Sequence, residues 1–289
     1  MAKLVDCTAW LVMLSTGLVA SPVFAQSVRA DHTTVDVDAL SPEQLAAAKA
    51  LRMSLSHASV GGNIWDGLSA LAADSTYEHP NWTDNDRGNP GWEAKVTQLG
   101  TWVDEHASDY DVFQNKFCFI DQDADFDTYR DSMESLRTQY PDKVFVWWTM
   151  PLQTGGAENA QREAFNTLVR SHTADASLPL FDLADIESHT VAGAPVTESG
   201  AEAMDPAQSS DGGHLNDLGA ARAAAAQWAL MAQLATGAAG AAGGGASGAA
   251  GLGQDVGGGA GGSAGGSADE GGGSGCSVRS GASCSWGTA

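Results

Sequence analysis

Two hydrophobic periods alternate along this chain. Short, nearly continuous apolar runs at residues 52–57, 112–120, 143–150 and 178–183 predict strands buried on both faces. Between them lie stretches with apolar residues at helical spacing, as in residues 60–73 with Ile64, Leu68 and Leu71. The same period predicts helices over residues 92–106, 126–140, 157–172 and 218–234, after a short helical lead-in at residues 45–50. Pro141 closes one helix and Pro151 stops one strand. Residues 74–91, rich in Asn, Asp, Pro and Gly, read as a long irregular segment with a strand near Thr76. Loops of that length inside a compact domain tend to be functional.

Strands that are apolar throughout, each followed by an amphipathic helix, specify a parallel sheet covered on both faces. The expected fold is therefore α/β, one three-layer α/β/α domain over residues 36–236, long enough to enclose a single core. Such sheets bind ligands at the carboxyl ends of their strands. Ser59, Asp121 and the loop holding Asp211 and His214 all follow strands and fall on that edge.

Composition divides the chain further. From residue 237 to the C-terminus glycine, alanine and serine dominate, leaving little to bury, so residues 237–289 read as a disordered tail. Residues 1–25 read as a signal peptide, with Lys3, an apolar stretch at 9–20 and Val23-Phe24-Ala25 before the cut. The stretch is interrupted by Ser15, Thr16 and Gly17 and is shorter than the ~20 residues of a membrane span. The expected destination is secretion or the cell surface, with no stable span in the mature chain. A formal net charge of -22 repels phosphate backbones and argues against nucleic acid as a partner. Cys7 would leave with the signal, Cys118 reads as a core thiol, and Cys276 and Cys284 could close a small loop, a pairing the sequence leaves open. No histidine or cysteine cluster has structural zinc spacing, so neither a metal nor an organic cofactor is expected.

The chemistry concentrates in Asp211-Gly212-Gly213-His214-Leu215-Asn216. A carboxylate three residues before a histidine, in a glycine-flexed loop, can orient the imidazole as a general base. Ser59, in His57-Ala58-Ser59-Val60-Gly61-Gly62-Asn63, sits where a strand turns into a helix and is the candidate nucleophile. Each has a plainer reading: a helix N-cap for Ser59, an Asx turn for Asp211, a loop histidine for His214 and a hydrogen-bonded strand-end residue for His57. Trp147 and Trp148 fall inside a strand and read as core. Trp82 and Trp92 are the better candidates for stacking on a sugar ring, although structural packing comes ahead for both.

With these residues, positions 48–235 resemble the SGNH (GDSL-type) hydrolases. The Asp-x-x-His block at Asp211–His214, followed by Gly219 opening a helix, is the most specific part. The resemblance implies a flavodoxin-like sheet and ester hydrolysis by Ser59, with His214 as base and Asp211 orienting it. It also implies an oxyanion hole from the backbone N–H groups of Ser59 and Gly91 with a side-chain donor. The first block reads His57-Ala58-Ser59 in place of Gly-Asp-Ser. The third reads Cys118-Phe119-Ile120-Asp121 where Gly-x-Asn-Asp is expected, which leaves Asn115, Lys116 or an asparagine of the long loop to supply the donor. The implied function is an exported esterase acting on small esters or acylated carbohydrate or lipid. The alternative is a non-catalytic surface or carbohydrate-binding module on a decayed hydrolase fold. The tail, a glycine-rich spacer ending in Gly275-Cys276, is similar to surface-sorting tails of myxobacterial exported proteins, without the apolar helix and arginine cluster that complete that pattern.

Overall fold

In the computed structural model the described residues are 28–243, with side chains described to residue 237. The proposed signal segment, most of the tail, Cys7, Cys276 and Cys284 lie outside them.

Six strands form one sheet: β1 (Arg29–Ala30), β2 (Met53–His57), β3 (Trp82–Asp86), β4 (Val112–Asn115), β5 (Val144–Trp148) and β6 (Leu180–Phe181). The order across the sheet is β3-β2-β4-β5-β6-β1, with every neighbouring pair parallel. Without the added edge strand β1 this is the 2-1-3-4-5 order of doubly wound flavodoxin-like sheets. The order reverses between β2 and β4, so the exits from these two strands flank the crevice where such sheets place ligands.

Helices α1 (Pro42–Ala50), α2 (Val60–Leu71) and α7 (Asp217–Gly243) pack together on one face. Helices α3 (Trp92–His106), α4 (Phe126–Gln139) and α5 (Asn159–Ala176) cover the other. The strand residues sort accordingly: along β5, Phe145 and Trp147 enter one core while Val146 and Trp148 enter the other. Trp147 and Trp148 are both fully enclosed, so neither faces a ligand. A Cβ on Gly67 would lie 2.4 Å from the Ala220 carbonyl, so glycine sets how closely α2 and the alanine-rich α7 cross. The described residues also include α6 (Leu183–Glu187) and a two-stranded hairpin, β7 (Thr197–Glu198) with β8 (Ala201–Glu202).

Four boundaries differ most from the sequence reading. The strand expected near Thr76 lies instead at β3, and Thr76 belongs to a 3-10 turn capped by Asp74. Its Trp82-Thr83-Asp84-Asn85-Asp86 sequence lacks an apolar run because β3 is an edge strand with alternate residues facing solvent. Trp82 is buried against Trp228, which removes it as a sugar-stacking candidate. The run at 112–120 is a strand only to Asn115; residues 116–120 form the loop that follows it, with Lys116, Phe117 and Cys118 buried and Ile120 half exposed. Residues 28–30 add β1 to the sheet, held by main-chain bonds to β6 and by the Gln233 side chain of α7, which bonds both the N–H and the C=O of Arg29. At the other end α7 continues beyond residue 236 to Gly243.

Among the described residues no helix is long and apolar enough to cross a membrane.

Candidate active site

Every side chain of β2 is buried, and the chain must reverse within two residues to lay α2 back on the sheet. Ser59 occupies that corner with φ 57° and ψ -119°, a backbone conformation that costs a non-glycine residue on the order of 1–3 kcal/mol. Its side chain makes no capping bond to α2, so the helix-cap reading of this serine fails. The tight turn also needs Gly61, since a Cβ there would come within 2.4 Å of His57 Cβ.

The Ser59 hydroxyl instead meets His214, 155 residues further along the chain, with Oγ 2.8 Å from Nε2. His214 Nδ1 lies 2.8 Å from Asp211 Oδ2. An ionised carboxylate can only accept, so Nδ1 carries the proton and Nε2 offers its lone pair to the serine O–H. Asp211 Oδ1 accepts from the N–H groups of Gly213 (3.0 Å) and His214 (2.8 Å). The bond from the His214 backbone, aided by those from Gly213 and the imidazole, holds the Asp211 carboxyl down at about 2 although partial burial opposes it. Asp211 is therefore an Asx-type turn former and a histidine partner at once.

The loop around this pair is stitched to itself. Ser209 Oγ and Ser210 N donate to the His214 carbonyl, and Gly212 N donates back to Ser209 Oγ. Asn216 donates through Nδ2 to the carbonyls of Ala207 and Ser209, while its Oδ1 accepts from the first N–H groups of α7. Gly212 has φ 92°, and a Cβ on Gly213 would strike the Phe119 ring at 2.9 Å. Phe119 stands edge-on to His214 with centroids 5.6 Å apart.

The loop leaving β4 supplies that phenyl ring. Its carbonyl accepts from Nε of the buried Arg162 on α5 (2.7 Å). Asp121, 2 % exposed, accepts from Cys118 N (2.7 Å) and pairs with fully buried Lys95 of α3, so it staples the loop and does not face the serine. Lys116 is also fully buried, donates to the Phe117 carbonyl, and is pushed below the usual lysine range by desolvation. Cys118 is a buried free thiol behind the Ser59 turn, with Sγ 3.8 Å from the Ala58 carbonyl. Ile120, at the position where the resemblance expects an asparagine, is half exposed and has no polar atom in its side chain.

Ser59, His214 and Asp211 thus come together from two ends of the chain. Gly91 is the first residue before α3 and makes no hydrogen bond to Ser59 or His214 among the described residues. Asn115 pairs in register with Ser56; its Oδ1 accepts from Arg87 and its buried Nδ2 has no partner. His57 is buried beneath the first turn of α2, with Nε2 2.5 Å from Asp84 Oδ1, and burial lowers its pKa. It is the hydrogen-bonded strand-end histidine of the plainer reading. Trp92 is half-buried against the α3–α5 core. Sequence reasoning missed Phe119 and Arg162. The apolar run that holds Phe119 looked like strand, and an arginine on a helical face gave no sign that it is buried.

No family model matches this chain. No curated protein matches it either. Among solved structures, similarity extends to a "putative acylhydrolase" from Bacteroides fragilis, 10% identical, covering 58% of this chain and 79% of that one with a TM-score of 0.41. It extends also to a "putative platelet activating factor" from Streptococcus pneumonia, 13% identical, covering 64% of this chain and 89% of that one, again with a TM-score of 0.41. Superpositions at that level do not separate one three-layer α/β/α protein from another.

Proposed function

We propose that this chain is an exported serine hydrolase that cleaves carboxylic esters, with Ser59 as nucleophile, His214 as general base and Asp211 as its orienting acid. The observation that carries the reading is the unbroken relay of two 2.8 Å contacts from the Ser59 hydroxyl through the imidazole to a carboxylate with a lowered pKa. His214 takes the serine proton as Oγ adds to the ester carbonyl, then returns it to the departing alkoxide. Water activated by the same nitrogen releases the acyl group and restores the serine. Asp211 keeps the proton on Nδ1, so that Nε2 is the basic nitrogen, and stabilises the imidazolium.

Stabilising the oxyanion falls first to the backbone. Ser59 stands at the start of α2 with no side-chain cap, and the N–H groups of Ser59 and Val60, which meet no acceptor among the described residues, offer the positive end of a helix dipole to developing negative charge. Gly91 and Asn115 are the further donors this reading proposes. Half-exposed His214 and exposed Asp211 make an open site that suits short acyl groups carried on a carbohydrate or lipid. The strongly acidic chain disfavours polyanionic substrates.

Purified protein is expected to hydrolyse short-chain aryl esters, and a fluorophosphonate probe is expected to label Ser59. Unchanged turnover in Ser59→Ala overturns the assignment. A second reading, a carbohydrate-binding module on an inactive hydrolase fold, rests on Ile120 standing where a side-chain donor belongs. No adduct on Ser59, together with measurable glycan binding, would favour that module.

A further inference from the structure

At the opposite edge of the sheet from Ser59, two histidines meet one carboxylate. His32 follows β1, while Asp185 belongs to α6 and His189 lies just beyond it, one turn after Asp185. The imidazoles of His32 and His189 are stacked with centroids 3.6 Å apart and planes within 5°. Both rings turn Nδ1 toward Asp185: His32 Nδ1 is 2.5 Å from Oδ1, and His189 Nδ1 is 3.8 Å from Oδ2 and 2.8 Å from the Asp185 carbonyl. One ligand atom from each of the three side chains lies within 4.8 Å of the others, and this is the one such group among the described residues. From the geometry we infer that His32, Asp185 and His189 form a binding site for a zinc-class divalent transition-metal ion.

The donor set fits that class. Two imidazoles and one carboxylate suit zinc, nickel or copper, whereas calcium and magnesium favour oxygen-only sites. With metal–ligand bonds of about 2.0–2.2 Å, tetrahedral ligand atoms of one ion stand roughly 3.3–3.6 Å apart. Capture therefore needs His32 to withdraw slightly from Asp185 and His189 to approach, each a small side-chain rotation. The side chains are 26%, 15% and 16% exposed for His32, Asp185 and His189, so an ion has an entry path and water can complete its coordination.

The frame is already set without the ion. His32 N donates to Asp185 Oδ1 (2.9 Å), and Asp182 Oδ1 accepts from Asp185 N (3.3 Å). The His189 carbonyl accepts from Arg222 of α7 (2.6 Å) and Gln208 (3.0 Å). An ion here would clip the exit of β1 to α6 and thereby fasten the edge strand. Three strand spacings separate β2 from β6, about 14 Å, so the ion would sit well away from Ser59 and take no part in its chemistry. The proposal is independent of the esterase reading.

The test uses untagged full-length protein stripped with a chelator. Titration with zinc is expected to show one site per chain and a rise in Tm. His32→Gln and His189→Gln should each weaken binding at least ~10-fold, the lower end of what is lost when even an outer-shell partner is removed. Ser59→Ala and His214→Gln should bind as the parent does. Should either histidine variant fold poorly, electron paramagnetic resonance of the copper-loaded parent decides, because two imidazoles give superhyperfine splitting from two nitrogens. No saturable site, binding unchanged in both histidine variants, or splitting from fewer than two nitrogens would overturn the proposal.

Discussion

Two loops border the serine, and they are built on opposite principles. Residues 209–216 are a polar loop closed mostly by its own hydrogen bonds, with partners two to nine residues apart, one longer tie from Thr154 N to the Gly212 carbonyl, and little burial around Asp211. Residues 116–121 are an apolar loop held by buried charges from distant helices, with Asp121 on Lys95 and Phe119 on Arg162. A local loop can present reactive groups to solvent and still hold them still. A loop fixed from outside carries stability, and its effect on the chemistry passes through one phenyl ring.

The contrast breaks most sharply at the two aspartates. Asp211→Asn keeps an oxygen for the N–H groups of Gly213 and His214 but places an amide against Nδ1 and favours the wrong tautomer. The expected result is a fall in kcat/KM for a short-chain aryl ester of up to ~10⁴, with Tm nearly unchanged. Asp121→Asn should do the reverse. It strips fully buried Lys95 of its counter-charge, and removing one member of a buried pair costs about 3–5 kcal/mol. Denaturant titration should read this as a lowered midpoint, while the fraction that stays folded hydrolyses ester at near-parent rates. A large rate loss in Asp121→Asn at low temperature would erase the distinction between the loops.

Buried charge also leaves a signature in pH. Glu187 is fully buried, and desolvation raises its carboxyl to about 8 against the bond from Leu152 N and the nearby charges of Lys116 and Arg162. Below the unfolded carboxyl value, near ~4.3, both states hold the proton. Between there and about 8 only the unfolded state releases it, so stability is lost as pH rises, by up to ~1.36 kcal/mol per unit. Glu187→Gln, which imitates the neutral acid, should flatten this decline. Relative to the parent it should gain stability from pH 5 to pH 8; parallel curves would show that Glu187 does not hold its proton. Lys116, whose charged form burial disfavours, gives an opposing trend, and because it faces Glu187 electrostatically the difference between the two curves reports the Glu187–Lys116 pair.

The smallest effect is expected at the contact between the loops. Phe119→Leu keeps an apolar side chain but removes the ring edge against His214, and aromatic pairs are worth ~0.5–1.5 kcal/mol beyond their area. The expected outcome is a loss of kcat/KM of about twofold to thirteenfold, the rate equivalent of that energy, with a Tm shift of a few degrees. Gly213→Val, which drives a side chain into the same ring, should cost more than Phe119→Leu in both measurements.

Legibility followed the same division. The Asp211–His214 block could be read because its contacts are local, and local contacts leave spacing in the sequence. Ser59 could be placed because a strand-to-helix turn has a recognisable pattern, although only the fold showed that its hydroxyl caps nothing. The layers and most of the sheet were legible from burial periodicity, since strands covered on both faces must be apolar throughout. Edge strands escape that requirement, which is why β3 was misplaced and β1 unforeseen.

By itself the sequence determined the alternation of strands and helices, the parallel three-layer class of the fold and the polar loop that carries Asp211 and His214, because each leaves a periodicity or spacing legible within a few positions of the chain. The tertiary structure decided what depends on distance along the chain: Ser59 reaching His214 across 155 residues, Lys95 finding Asp121, and His32 stacking on His189. Such pairs are fixed by strand order and helix packing, which act only once the chain has closed, and leave no periodicity from which they could be read beforehand.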